Sequence, residues 1–161
     1  MHVGLADVDE ALDLIDNYRG RKHFVGPRQR ALIDEAAAAL GVRFPPSYRK
    51  FVENLGAGSI RGREIYGVID SNFRDSTIPD GIWLTLTERQ DSQLPEALVI
   101  VDSTGDGDYV AIDTSKRTSE SENPMVRWSP GAASASDALE QVASDFGRFF
   151  LQLVREATED R

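Results

Sequence analysis

Three short apolar runs in the middle of the chain, Ala97–Val101, Tyr109–Ile112 and Met125–Trp128, limit the folds open to it. Each suits the length of a strand rather than a packed helix. Asp102–Gly107 lies between the first two and is built of turn residues, so these runs read as the arms of a hairpin. Helix-period segments flank this block. Leu5, Val8, Leu12 and Ile15 recur at helical spacing and predict a helix over Ala6–Tyr18. After a basic connector at Arg19–Gly26, Pro27 is expected to open a second helix that Gly41 stops. A short helix over Ser47–Leu55 carries Tyr48, Phe51, Val52 and Leu55 on one stripe. From Ser136 to about Thr158 the chain reads as its longest helix. Leu139, Val142, Phe146, Phe149, Phe150 and Leu153 would form its apolar face, with Ser136 or Asp137 as N-cap and Glu140 in capping-box reach.

Helices come first, strands lie in the middle and a helix closes the chain. That order predicts a single α+β domain over residues 1–161, with a mainly antiparallel sheet packed against the helices. Arg63–Ile69 is expected to be a strand, and Gly67 within it implies a bulge or a close backbone approach. Asp70–Asp80 reads as a loop, Gly81–Gln90 as a short helix and Thr114–Asn123 as a polar loop.

The chain has no cysteine, which excludes disulfides, thiolate metal sites and a cysteine nucleophile. Its first residues lack the basic start and apolar run of a secretory signal, and no apolar run approaches the roughly 18 residues of a membrane span. A cytoplasmic protein is therefore expected. The net charge of −9 is unevenly placed: residues 1–60 hold eight Lys/Arg and eight Asp/Glu, whereas residues 61–161 hold ten and nineteen. Such an acidic half repels nucleic-acid phosphates and attracts basic partners.

Few constellations suggest chemistry. Asp102, Thr104, Asp106, Gly107 and Asp113 partly match a calcium loop, but the final Glu is replaced by Asp and the flanks read as strands, so a structural turn is the preferred reading. His2 and His23 do not form a ligand-spaced pair, and no Gly-x-Ser-x-Gly elbow is present. The Gly-rich stretch Gly56–Gly62 follows a helix, the wrong context for phosphate binding. Arg19, Arg21, Lys22, Arg28 and Arg30 cluster around His23 and Phe24, and they read as a solvated connection. No catalytic residue, metal or cofactor is expected.

The segment LGVRFPPSYRKFVENLGAGSIRGREIYGV, residues 40–68, joins a Phe-Pro-Pro, a Tyr two residues on, a short aromatic helix, a Gly-rich turn and an Ile-Tyr-Gly. The prolines would hold the chain extended before the helix, and Gly56, Gly58 and Gly62 would permit positive φ where helix turns into sheet. This ordered set resembles the SUKH superfamily, which includes bacterial immunity proteins and yeast regulators of cell-wall assembly. LPEALVIVDSTGDGDYVAIDT and VRWSP resemble its central hairpin and next strand. The resemblance covers about residues 28–155, with residues 1–26 forming an N-terminal helix and basic connector. It implies a non-enzymatic antitoxin that binds a basic toxin domain, such as a nuclease, with no nucleic-acid or membrane partner. A regulatory protein-interaction scaffold is the alternative. Scaffold rather than surface is shared in the superfamily, so the interface is placed by charge, on Asp70, Asp75, Asp80, Asp102, Asp106, Asp108 and Glu120, with Trp83 as aromatic anchor.

Overall fold

A computed structural model describes residues 3–118, 120–131 and 139–159. Five helices and two antiparallel sheets form an α+β fold. The helices are α1 (Val3–Asn17), α2 (Arg30–Leu40), α3 (Pro46–Leu55), α4 (Gly81–Asp91) and α5 (Phe146–Thr158). Strands β1 (Lys22–Phe24), β2 (Gly58–Ile60) and β3 (Arg63–Ile65) make one sheet. Strands β4 (Leu98–Ser103), β5 (Tyr109–Asp113), β6 (Met125–Trp128) and β7 (Glu140–Ala143) make the other, in sequential order. The two sheets meet where the Tyr66 N–H donates to the Val101 carbonyl at 2.8 Å.

The central hairpin is buried on both faces, which is why its strands are apolar throughout rather than alternating with polar residues. Val99, Val101, Val110, Ile112 and Met125 face the larger core, packed under α1, α2, α3 and α5. Leu98, Ile100, Ala111, Val126 and Trp128 face a smaller core, closed by Tyr66, Leu84 and Leu94. Burying each such large side chain stabilises the fold by about 1.5–3 kcal/mol.

Helix α3 opens with Pro46 at its first position, and its aromatic stripe is the centre of the larger core. Tyr48 packs edge-on against Phe146 at 5.0 Å, and Phe51 against Phe150 at 5.1 Å. The first turn of α3 is held by Glu122, a buried carboxylate that accepts from the Ser47 N–H at 2.9 Å and its hydroxyl at 2.7 Å. An acid at a helix N-terminus satisfies otherwise unpaired donors and the helix dipole together.

Five expectations are corrected. The connector after α1 contains β1, and α2 starts at Arg30 rather than Pro27. Hydrogen bonds from Val25 to Ala57 and from Gly26 to Leu55 keep the chain extended beside β2 until it clears that turn. The strand expected over Arg63–Ile69 ends at Ile65, because Gly67 and Val68 leave the ladder to bond the carbonyls of Pro79 and Gly56. Gly67 makes the close approach foreseen for it: a Cβ there would lie 1.9 Å from the Gly56 carbonyl oxygen. Gly58 lies within β2 at ordinary φ, whereas Gly56 and Gly62 do adopt positive φ. Finally, the closing helix is shorter than expected and α1 is longer than it. Residues 140–143 pair with β6, Asp145 caps α5 by accepting from the Arg148 N–H at 2.8 Å, and the expected caps Ser136 and Asp137 fall outside the described residues.

Helix α5 crosses α1 at a contact that admits no side chain. A Cβ on Gly147 would sit 2.2 Å from the Gly4 carbonyl oxygen. In an exposed helix Gly→Ala gains roughly 1 kcal/mol. Here Gly147→Ala is expected to lose about 1–3 kcal/mol, because backbone rather than a flexible side chain must move. Urea unfolding checks the sign, and a raised midpoint would refute the close crossing.

Candidate interaction surface

Residues 61–113 hold eleven Asp/Glu against four Lys/Arg, and they build the loops around the smaller core. At the tip of the β4–β5 hairpin, Gly105 and Gly107 take positive φ and the Thr104 N–H donates to the Asp108 carbonyl at 3.0 Å. The Thr104 hydroxyl also donates to the Asp106 carboxylate. Arg127 reaches this tip from β6. Its Nε donates to Asp108 at 2.8 Å and its Nη2 to Asp106 at 3.1 Å. The Thr104 hydroxyl, with Arg127 beside it, holds the Asp106 carboxyl below the usual carboxylate range.

The other expected residues are dispersed. Asp70 and Asp75 are exposed on the 70–80 loop, where the Asp70 carboxylate accepts from the Asn72 N–H at 2.9 Å. Asp80 is wholly buried and is thereby removed from the surface. Its carboxylate caps α4, accepting from the N–H groups of Ile82 and Trp83 at 3.0 Å each. Trp83 is half-buried, packed against the smaller core rather than projecting as a free anchor. Glu120 lies beyond the opposite end of β5 from the hairpin tip, where it accepts from the Val3 N–H at 3.4 Å. Asp106 on the hairpin and Asp70 and Asp75 on the 70–80 loop therefore remain exposed acids, Asp108 is half-buried against Arg127, and Glu120 belongs to another side.

Asp102 is buried as well, 8% exposed, beneath the bulge between Ile100 and Asp102 in β4. Its carboxylate accepts from the Ser103 N–H at 2.8 Å. The calcium-loop residues do not converge. Asp102 is turned to its own backbone, Asp106 to Thr104 and Arg127, and Asp113 accepts from Ser115 N–H and hydroxyl at 3.0 and 2.6 Å at the far end of β5. Among the described residues no group of three or more His, Asp or Glu side chains is placed to hold a metal ion.

Sequence reasoning missed Arg127, although a single cation inside an apolar strand, opposite the turn-side residue Val110, was a usable signal. It also missed the stacking of Tyr109 on Trp128, a cross-strand pair 6.1 Å apart.

Desolvation pushes the Asp102 carboxyl up from 3.8 to about 6, with the Ser103 N–H and then Arg63 opposing the shift. The folded chain therefore keeps a proton that the unfolded chain releases between about pH 4 and 6, and stability from this group is lost as pH rises through the folded value. Asp102→Asn keeps the acceptor for Ser103 and has no charge to bury. It is expected to exceed the parent by about 2 kcal/mol near neutral pH, with the difference closing toward pH ~4. Urea titrations across that range check it, and a gap that widens on acidification would reverse the assignment.

In comparison with known families, the SUKH_5 model, described as SMI1-KNR4 cell-wall, matches residues 9–155. No curated protein matches the chain. No helix among the described residues is long and apolar enough to cross a membrane.

Proposed function

The chain belongs to the SMI1-KNR4 (SUKH) family, and from this premise we propose that it is a non-enzymatic, cytoplasmic immunity protein that binds and neutralises a basic toxin domain. The observation that carries the reading is the acidic balance of residues 61–113, in which Asp70 and Asp75 are exposed on one loop and Asp106 and Asp108 stand at the hairpin tip beside Arg127. A toxin that acts on nucleic acid must present cations to receive phosphates, and preformed carboxylates compete for them. The long-range field of a −9 chain adds steering, which raises association rates and falls with salt. A regulatory scaffold is the second reading. It is favoured by the cell-wall description of the matching family and uses the same surface without neutralising anything.

Co-expression with the toxin encoded beside this gene separates the two. Growth rescue and recovery of a stable complex are expected. Replacing Asp70, Asp75 and Asp106 together with Lys is expected to slow association by about tenfold and to leave the thermal midpoint within the scatter of surface substitutions. Absence of rescue would shift the assignment to the scaffold, and unchanged association would move the interface elsewhere.

A further inference from the structure

A concavity on the helical side carries charge opposite to that of the acidic loops. It encloses about 620 Å³ along the outward face of α3. Leu5, Phe44, Pro45 and Pro46 supply an apolar floor, and the 114–123 loop forms the facing wall through Thr114, Arg117, Ser121 and Asn123. Four cations border it, Arg43, Arg49, Lys50 and Arg117, against one carboxylate, Glu53.

These cations are not equivalent. Arg49 pairs with Asp34 at 2.7 Å and Lys50 with Asp9 at 2.5 Å, so both are already partly neutralised and held in place. Arg43 and Arg117 are exposed and make no hydrogen bond or ion pair among the described residues. They stand on two different segments that border the same floor. Described residues of the facing wall are tied to the fold: Glu122 accepts from Ser47, Asn123 donates to the Lys116 carbonyl at 2.5 Å, and Thr114 donates to the Ala97 carbonyl at 2.6 Å. In a chain of net charge −9, a groove whose two walls each carry a cation without a partner among the described residues attracts anions locally against the overall charge.

We propose that this groove is a second interaction site, which takes an extended acidic segment of a partner protein. Carboxylates of the segment meet Arg43 and Arg117, and an apolar side chain rests on Phe44 and Pro45. The floor supplies the reason to favour peptide over a bare anion: Leu5, Phe44, Pro45 and Pro46 offer apolar surface that a side chain can cover and a bare anion cannot use. Arginine also suits carboxylate geometry, since its planar fork can bond both oxygens.

Selection from a random-peptide display library against the full chain tests this. Enriched peptides are expected to combine two or more acidic residues with an adjacent apolar one. A synthetic version is expected to bind about tenfold more weakly to the Arg43→Glu, Arg117→Glu double variant. The variant carrying Lys at positions 70, 75 and 106 should bind it as the parent does, which keeps this site separable from the toxin-binding reading. Enrichment of basic or uncharged peptides, or affinity unchanged by the double variant, would overturn the proposal. So would displacement of the peptide by oligo-dT, which would make the groove a phosphate site, or conversion of a parent dimer to monomer by the same substitutions, which would put a second copy there.

Discussion

The hydroxyl of Tyr48 is the contact on which the assembly of layers depends. The side chain is wholly buried, and its Oη donates to the Tyr66 carbonyl at 3.0 Å. Left unpaired, such a hydroxyl would cost about 1–3 kcal/mol. Its partner is not an arbitrary carbonyl. Tyr66 is the residue whose N–H joins the two sheets through Val101. One side chain from α3 therefore fixes the helical layer against the seam of the sheets. Burial drives its phenol far above the ordinary range, so the group keeps its proton and remains a donor at neutral pH. Around it, Phe44 and Phe146 pack edge-on and Phe51 stacks at 6.1 Å, while Phe51 tilts against Phe146 across the contact between α3 and α5.

The parts of the fold that could be read from the sequence are those whose signal is local. The β4–β5 hairpin announces itself through Asp and Gly between apolar runs, and α3 through a proline start and an aromatic stripe. The missed elements are those whose cause is distant. β1 has no apolar pattern, since Lys22 and His23 are exposed, and it is a strand only because β2 lies beside it. β7 has the same character: Leu139 and Val142 fit the helical period of Phe146 and Phe150, so periodicity alone extends the helix backward across a strand. Two local clues opposed that extension. Asp145 is a good N-cap immediately before the aromatic run, and Gly147 is a poor helix-interior residue but acceptable in a first turn.

Acidic residues were harder to read, because composition counts carboxylates without sorting them by burial. Six are buried among the described residues: Asp7, Asp145, which caps α5, and four more that bind backbone. Asp80 caps α4, Asp102 holds the foot of the hairpin, Asp113 turns the chain after β5 and Glu122 caps α3. An isolated buried charge is expensive, so Asp80, Asp113 and Glu122 are placed where two donors converge, while Asp102, with one, takes up its proton at a higher pH than an ordinary carboxylate. Nothing in the residue names distinguishes these four from Asp70, Asp75, Asp106 and Asp108 on the surface. The neighbours do distinguish them: Asp80 precedes a helix by one residue, and Asp113 is followed two residues later by a serine whose backbone and hydroxyl it can reach.

This division of acids also explains how one small domain can present surfaces of opposite sign. Each charged loop is tied to the core by one of the buried carboxylates: residues 70–80 by Asp80, the hairpin tip by Asp102, and residues 114–121 by Asp113 and Glu122. With the loop backbones anchored from within, the exposed positions between anchors carry little structural duty and can change charge at small cost to the fold. Asp70 and Asp75 face solvent on one such loop, and Arg117 on another. A scaffold built this way keeps its anchors and aromatic seam while its surface charge is free to follow a partner, so the residues that specify the fold and those that would specify a partner are nearly separate sets.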